Sequence, residues 1–224
     1  MIGGMVLPVM MFPSALLSAF SALLVPEMAE KNLLQNKQAI SNIIARIFKI
    51  TLIFSICVSG LLFFYADDLC MAIYHNPEAA VYIKVFSPLI VVMYFDEIVD
   101  ALLKGLGEQV SVVRINIFDT ALCIGLLSLL LPAYGIRGYV AVFFASEVFN
   151  AFLSVYRLLK STRFEIKILW WVIGPVIAIV SAALLARRLI PAHFIISMVA
   201  ALIIYLAALY ILGSITDQDF AMQT

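Results

Sequence analysis

Charged side chains are scarce in this sequence: they make up 12% of its 224 residues, whereas an average soluble domain has about 25%. Hydrophobic residues make up 65%, more than a globule of this length can bury. Because this surplus would face water in a soluble protein, we predict a protein that lies in a lipid bilayer. The formal net charge is zero, which argues against nucleic-acid binding, since that requires a basic excess to neutralise phosphates.

Cysteine and histidine are also scarce. The three cysteines (Cys57, Cys70 and Cys123) include no close pair, and the two histidines (His75 and His193) lie far apart. This spacing excludes a disulfide framework and offers no recognisable set of metal ligands. We therefore predict no metal and no cofactor, and we interpret the cysteines as buried apolar residues.

Long apolar stretches fill most of the chain. They lack the alternation typical of membrane strands, and most of them reach the length that a helix needs to cross a bilayer. The sequence therefore predicts an all-α integral membrane protein with about seven transmembrane helices in one bundle. The predicted spans lie at about 1–25, 47–65, 82–103, 112–131, 138–156, 168–185 and 194–212.

The spans divide into two regions. We predict a bundle of five spans over residues 1–160, and two additional spans with a short cytoplasmic tail over residues 161–224. Residues 27–46 form the one long polar stretch, and their apolar positions roughly follow helical spacing. This stretch is typical of an amphipathic helix on the inner leaflet, with a solvated linker as the alternative.

Lysine and arginine are unevenly shared between the two sides of the predicted membrane topology, with ten on one side and four on the other. The positive-inside rule places the richer side in the cytoplasm. We therefore expect the N-terminus of this chain outside and its C-terminus in the cytoplasm. Seven spans that begin outside are unusual for a complete protein, and this suggests that a segment precedes the chain.

Polar side chains occur inside three consecutive predicted spans, where a charge costs about 2.5 kcal/mol or more unless it is paired or hydrated. Asp96, Asp100 and Lys104 repeat every four residues and therefore lie near one helix face. We predict that these spans bring their polar groups to a similar depth, where they line a cavity or ion pathway. The candidate residues are Asp96, Asp100, Lys104, Arg114, Asn116, Asp119, Glu147 and Asn150.

Two interpretations of these residues are open. In the structural one, Asp100–Lys104 and Arg114–Asp119 are ion pairs that join neighbouring helices near the membrane surface, where long side chains reach water easily. In the functional one, the acids attract a cation, a proton or a polar group of a substrate. Glu147 is the strongest candidate, since it lies deepest and has no partner nearby in the sequence.

Pro8 and Pro13 lie five residues apart in the first predicted span. Each proline removes a backbone hydrogen bond, and membrane proteins tolerate the exposed carbonyls only where protein or a water-filled cavity covers them. We predict that both prolines are helix hinges, with packing kinks as the alternative.

Enzymatic chemistry has little support in the sequence. Asp67 and Asp68 are adjacent at a span end, where capping or solvation explains them. Asp100 and Asp119 come from different helices, as in an intramembrane aspartyl protease, but no supporting motif surrounds them. We therefore predict that the protein is not an enzyme.

Three strings in order carry a resemblance to a known family. The first combines Gly4–Pro8 and Phe12–Pro13 with Leu24–Glu27, the second is Asp96–Gln109, and the third joins Leu131–Pro132 to Gly135–Tyr139. Together they resemble the C-terminal half of the stage V sporulation protein B branch of the multidrug/oligosaccharidyl-lipid/polysaccharide exporter superfamily. No single string is specific, but the likeness covers nearly the whole chain.

The resemblance implies a fold of two helical bundles around a central cavity that opens alternately to each side of a bacterial cell membrane. It implies flipping or export of lipid-linked oligosaccharide, polysaccharide or cell-wall precursors, in a bacterium that sporulates. Members of the branch have about fourteen spans, and this chain would supply the last seven. The implied partners are membrane lipids, the lipid-linked saccharide and the missing N-terminal bundle, in the same chain or a separate one.

No substrate-binding residue transfers from the family, because the charged cavity residues of related flippases lie mostly in the other bundle. Two other functions stay open. One is half of a cation-coupled multidrug exporter, and the other is a non-transporting remnant or scaffold protein.

Overall fold

A computed structural model describes residues 2–162, 168–190 and 193–211. Every regular element in these ranges is helical, which confirms the prediction of an all-α protein. A short π-helix at Ile2–Val6 precedes eight α-helices. These are α1 (Leu7–Met11), α2 (Ser14–Leu33), α3 (Lys37–Tyr74), α4 (Pro77–Gly105), α5 (Gln109–Tyr134), α6 (Ile136–Thr162), α7 (Ile168–Leu189) and α8 (Phe194–Ile211).

Five of the helices are long and apolar enough to cross a membrane, namely α3, α5, α6, α7 and α8. The segments Gly3–Met11 and Ser14–Leu33 qualify together as a sixth span if their bent pair counts as one. The third predicted span lies within α4, which is not among the helices that qualify. The number of seven spans and their orientation stay predictions.

The turn between α2 and α3 is closed at both ends by capping. Gln35 has a φ of 50°, and the Asn36 N–H donates to the Lys31 carbonyl at 3.2 Å, as in a Schellman motif. The Asn36 side chain then accepts a hydrogen bond from the Ala39 N–H at 3.0 Å and caps α3. The predicted amphipathic stretch 27–46 is therefore divided between two helices, and its position on the inner leaflet stays a prediction.

The chain divides into two compact units. Unit 1 comprises Met1–Ala15, Arg46–Val91 and Ile166–Thr224, and unit 2 comprises Leu16–Ala45 and Val92–Glu165. The residues of α3 and α4 are shared between the two units. The predicted regions 1–160 and 161–224 group the helices differently, since α7 and α8 belong to the same unit as most of α3.

Unit 1 is held together by polar contacts between α3 and the α7–α8 hairpin. The hydroxyls of Tyr65 and Ser197 lie 2.7 Å apart, and the Tyr205 hydroxyl donates to the Ile53 carbonyl at 2.8 Å. Buried alanines of α7 and α8 pack around Tyr65 and let the helices approach closely. Such anchors compensate for the weak hydrophobic driving force between helices in lipid.

Two ion pairs lie near the end of α3 in unit 1. Asp67 accepts a hydrogen bond from Lys84 at 2.6 Å, and Asp68 pairs with Arg187. The Arg187 guanidinium also lies over the Tyr65 ring, 5.1 Å from its centroid. The adjacent aspartates, predicted to be capping or solvated residues, instead join α3 to α4 and α7.

Unit 2 contains α2, the first turns of α3, the second half of α4, and the α5–α6 hairpin. Helices α5 and α6 pack along each other and are joined at Gly135. This unit places the polar segment of α4 next to the polar faces of α5 and α6, and so it contains the candidate site.

Candidate functional site

The side chains that the sequence predicts as a cluster come from three helices of unit 2. Three of them lie on α4 (Asp96, Asp100 and Lys104), three on α5 (Arg114, Asn116 and Asp119) and two on α6 (Glu147 and Asn150). Hydrogen bonds join α4 to α5, α4 to α6, and α5 to α6. We call the following residues the acidic cluster: Asp96, Asp100, Asn116, Asp119, Ser146, Glu147, Asn150 and Ser154.

Asp96 is the buried centre of the acidic cluster, since only 7% of the residue is exposed. The Asn150 side-chain amide on α6 donates to Asp96 Oδ2 at 2.9 Å. The second oxygen, Asp96 Oδ1, and the amide oxygen of Asn150 are buried without a hydrogen-bond partner among the described residues. Such unsatisfied acceptors are rare in proteins and need a physical explanation.

Asp100 lies one helical turn after Asp96 and is contacted from both neighbouring helices. Asn116 on α5 donates to Asp100 Oδ2 at 3.3 Å, and Ser154 on α6 donates to Asp100 Oδ1, also at 3.3 Å. Both distances are at the long end for a hydrogen bond. The Asp100 carboxylate is therefore held by two neutral donors, and no cationic side chain approaches it within 4.0 Å in the described part of the chain.

Asp119 and Glu147 complete the acidic cluster. Asp119 accepts a hydrogen bond from the Ser146 hydroxyl at 2.6 Å. Glu147 is half-buried, and the structure gives its carboxylate no hydrogen-bond partner within residues 2–162, 168–190 and 193–211. Asp100, Asp119 and Glu147 lie close enough to Asp96 to interact with it electrostatically. The arrangement therefore concentrates acidic groups among apolar helices.

Lys104 and Arg114 are not drawn into the acidic cluster. Both are exposed, and the ion pairs Asp100–Lys104 and Arg114–Asp119 do not form within 4.0 Å. Asp100 and Asp119 are bound instead by the shorter polar side chains of α5 and α6. The ion pairs of the structural interpretation are therefore not formed at close range, although Lys104 interacts with Asp100 at longer range, and both interpretations stay open.

Sequence reasoning missed Ser146 and Ser154. Serine changes hydropathy little, so a search for ionisable groups passes over it. The spacing of Ser146, Asn150 and Ser154 gives a usable signal, because residues four apart lie on one helix face. Glu97, for which the sequence suggested no role, accepts a hydrogen bond from the Ser18 hydroxyl on α2 at 2.5 Å.

A second set of polar contacts lies after the end of α4, outside the acidic cluster. Glu108 lies in the loop between α4 and α5, and the Arg157 guanidinium of α6 donates to both of its oxygens, at 2.7 and 2.6 Å. The hydrogen bonds from Arg157 and Ser111 lower the pKa of Glu108 below its usual value of 4.5. This bidentate pair fixes α6 against the loop that follows Asp96 and Asp100.

Glycines shape the same loop. Gly107 has a φ of 82°, and the Glu108 N–H donates to the Leu103 carbonyl at 2.9 Å, which closes α4 in a Schellman motif. At Gly105, a Cβ atom would lie 2.9 Å from the Val25 carbonyl and 2.6 Å from Met28 Cβ. The Lys-Gly-Leu-Gly string therefore lets α4 pack closely on α2 and turn sharply towards α5.

The predicted hinge prolines occupy different positions. Pro8 lies in the first turn of α1, where its missing N–H is tolerated, whereas Pro13 lies in the break between α1 and α2. The helices on either side of this break are bent by 49°. The Ser14 hydroxyl donates to the Met11 carbonyl at 2.8 Å and satisfies one of the groups exposed there. The structure thus places a bend at Pro13, and motion at either proline stays a prediction.

The chemistry available to the acidic cluster is binding of a positive charge or of a polar donor. Its groups are carboxylates, amides and hydroxyls, with two buried acceptor oxygens that have no donor. No group of three His, Cys, Asp or Glu side chains within the described ranges is placed to hold a metal ion. The cluster therefore offers acidic groups and hydrogen-bond acceptors to a cation or to a polar group of a substrate.

Comparison with known proteins gives one distant relative. The chain is 25% identical over 167 residues to stage V sporulation protein B of Bacillus subtilis (strain 168). The match covers 74% of this chain and 32% of that protein, so the chain spans about a third of the length of the curated relative it matches. No family model and no solved structure matches the chain. The likeness supports a distant relationship to stage V sporulation protein B, in a chain whose apolar helices indicate a multi-pass membrane protein.

Proposed function

We propose that this protein is one bundle of a membrane transporter of the flippase type. Its cargo is a lipid-linked oligosaccharide, polysaccharide or cell-wall precursor, and it acts by alternating access together with a second bundle. Polar sites between membrane helices that carry substrates or ions are typical of such transporters. The distant relationship to stage V sporulation protein B supports the transporter class. The observation that carries the proposal is the buried, half-satisfied Asp96 carboxylate in the middle of unit 2.

Placing the acidic cluster among membrane helices costs free energy, and helix packing alone does not explain why the acids are there. An ionisable group in a membrane helix is unfavourable unless it is paired or hydrated. Here, four acids meet on three helices, and no lysine or arginine pairs with them within 4.0 Å in the described ranges. A chain that needed only helix packing would retain apolar or small residues at these positions. A role in a transport pathway explains why acidic residues occupy these positions.

The test measures lipid-linked saccharide in cells that naturally express the protein. In spheroplasts, a membrane-impermeant oxidant modifies only the saccharide on the outer leaflet, so the modified fraction reports transport. We expect Asp96→Asn to reduce this fraction several-fold at unchanged protein level. The matched control Glu78→Gln changes an exposed acid at the start of α4 and should leave the fraction unchanged. An outer-leaflet fraction that is the same in wild type, Asp96→Asn and a gene deletion would refute the proposal.

A cation-coupled exporter half is a second candidate, and the two buried acceptor oxygens favour it. Asp96 Oδ1 and Asn150 Oδ1 are groups that a proton or a monovalent cation would satisfy. In this case export should depend on pH or on the sodium gradient, and Glu147→Gln should weaken that dependence. Export that responds to neither gradient would exclude coupling at this cluster while leaving flipping intact.

The companion bundle can belong to the same polypeptide or to another one. An immunoblot of native cells with an antibody to residues 216–224 distinguishes the two cases. A band at roughly twice the 24.8 kDa of this chain would support a single full-length flippase. A band near 24.8 kDa would mean a separate chain. If no other membrane protein then co-purified with it, the non-transporting remnant or scaffold would be favoured.

A further inference from the structure

Four cationic side chains of unit 2 are exposed at one end of its helices. Contacts define this end, because the Asn32 side chain at the end of α2 donates to the Leu106 carbonyl, and Arg157 near the end of α6 binds Glu108. Lys104 precedes Leu106 at the end of α4, and Lys160 lies one turn after Arg157. We call the four the basic end: Lys37, Lys104, Arg114 and Lys160.

The four cations of the basic end form no close ion pair in the described ranges, although Lys104 interacts at longer range with Asp100. None of its four cations lies within 4.0 Å of a carboxylate in the part of the chain that the structure describes. Nearby acids have other partners, since Glu108 binds Arg157 and Glu30 pairs with Lys31 at 3.1 Å. The remaining exposed acid of α2 is Glu27, so the cations outnumber it four to one.

Arg114 lies deeper along its helix than a residue in the first turn. Arg114 lies five residues into α5, about 7.5 Å along a helix that is apolar and long enough to cross a membrane. A guanidinium at this depth must reach up to the interface or find a negative partner in the lipid. The neighbouring Asn116 is already used by Asp100, and Asp119 by Ser146. Arg114 is exposed and has no carboxylate within 4.0 Å in the described ranges, so it is available to an anion at the interface.

We propose that the basic end binds the phosphate groups of anionic membrane lipids. Phosphate suits this surface because arginine binds it in a bidentate manner and lysine binds it as a point charge. Helix ends that carry several basic residues attract anionic leaflets, and the binding weakens with salt. This inference goes beyond the transport proposal, since it concerns lipid that surrounds the protein and requires no movement of cargo.

The experiment uses the full chain reconstituted in phosphatidylcholine vesicles with trace spin-labelled lipids. Electron paramagnetic resonance gives the association constant of phosphatidylglycerol relative to phosphatidylcholine. We expect the wild-type chain to prefer phosphatidylglycerol, with a preference that decreases as salt is added. Each charge near an anionic surface contributes up to about fivefold in association. The variant K37Q/K104Q/R114Q/K160Q should therefore have a ratio close to one.

Arg137→Gln is the matched control, because Arg137 is an exposed and unpaired cation at the opposite end of the α5–α6 hairpin. It should retain the wild-type preference. The single variants Lys104→Gln and Arg114→Gln should each lower the ratio, which keeps the test decisive if the fourfold variant does not fold. Equal binding of both lipids by the wild-type chain would overturn the proposal, as would a loss in Arg137→Gln as large as in the single variants.

Free phosphate is the other source of the same chemistry. If inorganic phosphate removed the lipid preference more strongly than chloride at equal ionic strength, the site would belong to a soluble anion, and the lipid assignment would fail. Equal effects of the two salts would support binding of the lipid headgroup.

Discussion

Asp96 shows how much one buried side chain can determine in a helix. Its carboxylate has one donor, Asn150, and its other oxygen is buried without a partner among the described residues. Removing a donor from a buried charge costs more than an average hydrogen bond, because the desolvated group loses its only compensation. The Asn150 amide is therefore expected to stabilise unit 2 as well as to shape its site.

We predict that Asn150→Leu destabilises the protein by about 1–3 kcal/mol, since leucine has a similar size but cannot donate to Asp96. Thermal unfolding in detergent measures the change. The control Asn42→Leu removes an exposed amide that is bonded only to Gln38 on its own helix, and it should change stability by less than about 0.5 kcal/mol. Equal unfolding temperatures of Asn150→Leu and wild type would contradict the role assigned to Asn150.

The Glu108–Arg157 pair makes a prediction about pH. Because Arg157 lowers the pKa of Glu108 in the folded protein, the stabilisation is fully present above the unfolded value of about 4.5 and decreases as pH falls through the lower folded value. The pair is partly exposed, so we expect a contribution of about 1 kcal/mol at neutral pH.

The difference in unfolding temperature between wild type and Glu108→Gln measures this contribution as a function of pH. It should be constant from neutral pH down to about pH 5 and shrink under more acidic conditions. Glu30→Gln, which alters an exposed pair of adjacent residues, serves as the comparison. A difference that grows as pH falls would have the wrong sign for this pair.

At the scale of single residues, the sequence predicts which helices carry the site but not all of its members. Charges and amides inside apolar stretches are conspicuous, and four of the predicted residues (Asp96, Asp100, Asn116 and Asn150) are joined to one another in pairs. The serines were missed because their polarity is small. Spacing predicts Lys104 and depth in the fourth span predicts Arg114, but neither determines which way a long side chain turns.

At the scale of elements, helix α3 illustrates the limit of hydropathy. Its 38 residues extend about 57 Å, whereas the hydrocarbon core of a bilayer is about 30 Å thick. The sequence predicted a separate polar segment before residue 47 because polarity changes there. Hydropathy reports the surroundings of a helix and not its ends. A helix over 27–46 that leads into the second span was predicted, but its division between α2 and α3 was not.

Close packing of α4 on α2 depends on Gly105. We predict that Gly105→Ala destabilises the protein by about 1–3 kcal/mol, because the added Cβ would meet the backbone carbonyl of Val25 as well as Met28. Gly125→Ala is the matched control, since a Cβ at Gly125 meets nothing within 4 Å and alanine favours the helix. The unfolding temperatures of the two variants test this prediction. An equal decrease in both would exclude the close packing of α4 on α2 as the cause.

At the scale of the whole molecule, the partition of the helices departs from their order in the chain. Helices α7 and α8 belong to unit 1, where Tyr65 on α3 meets Ser197, and Asp68 pairs with Arg187. Periodicity and charge locate each helix, but they contain no information about which distant helices pair. The sequence therefore predicted the two last spans without predicting that α3 packs against them.

This partition predicts the effect of ending the chain after Thr162. The shortened chain would leave Tyr65 of α3 without the alanines of α7 and α8 that pack around it, so we expect aggregation or a clearly lower unfolding temperature. Size-exclusion chromatography and thermal unfolding in detergent report both. Co-expression of residues 163–224 as a separate chain should restore the wild-type behaviour. A monodisperse shortened chain with the unfolding temperature of the full chain would show that residues 1–162 are independent.

The three cysteines differ in exposure, and the most accessible one can report the entry of water beside the acidic cluster. Cys57 and Cys70 are buried, whereas Cys123 is only half-buried and lies one helical turn after Asp119 on α5. The nucleophile that attacks a maleimide is the thiolate, which forms where water reaches the sulfur. The rate at which a charged, membrane-impermeant maleimide modifies Cys123 therefore measures how often water enters beside the acidic cluster, and from which side of the membrane it comes.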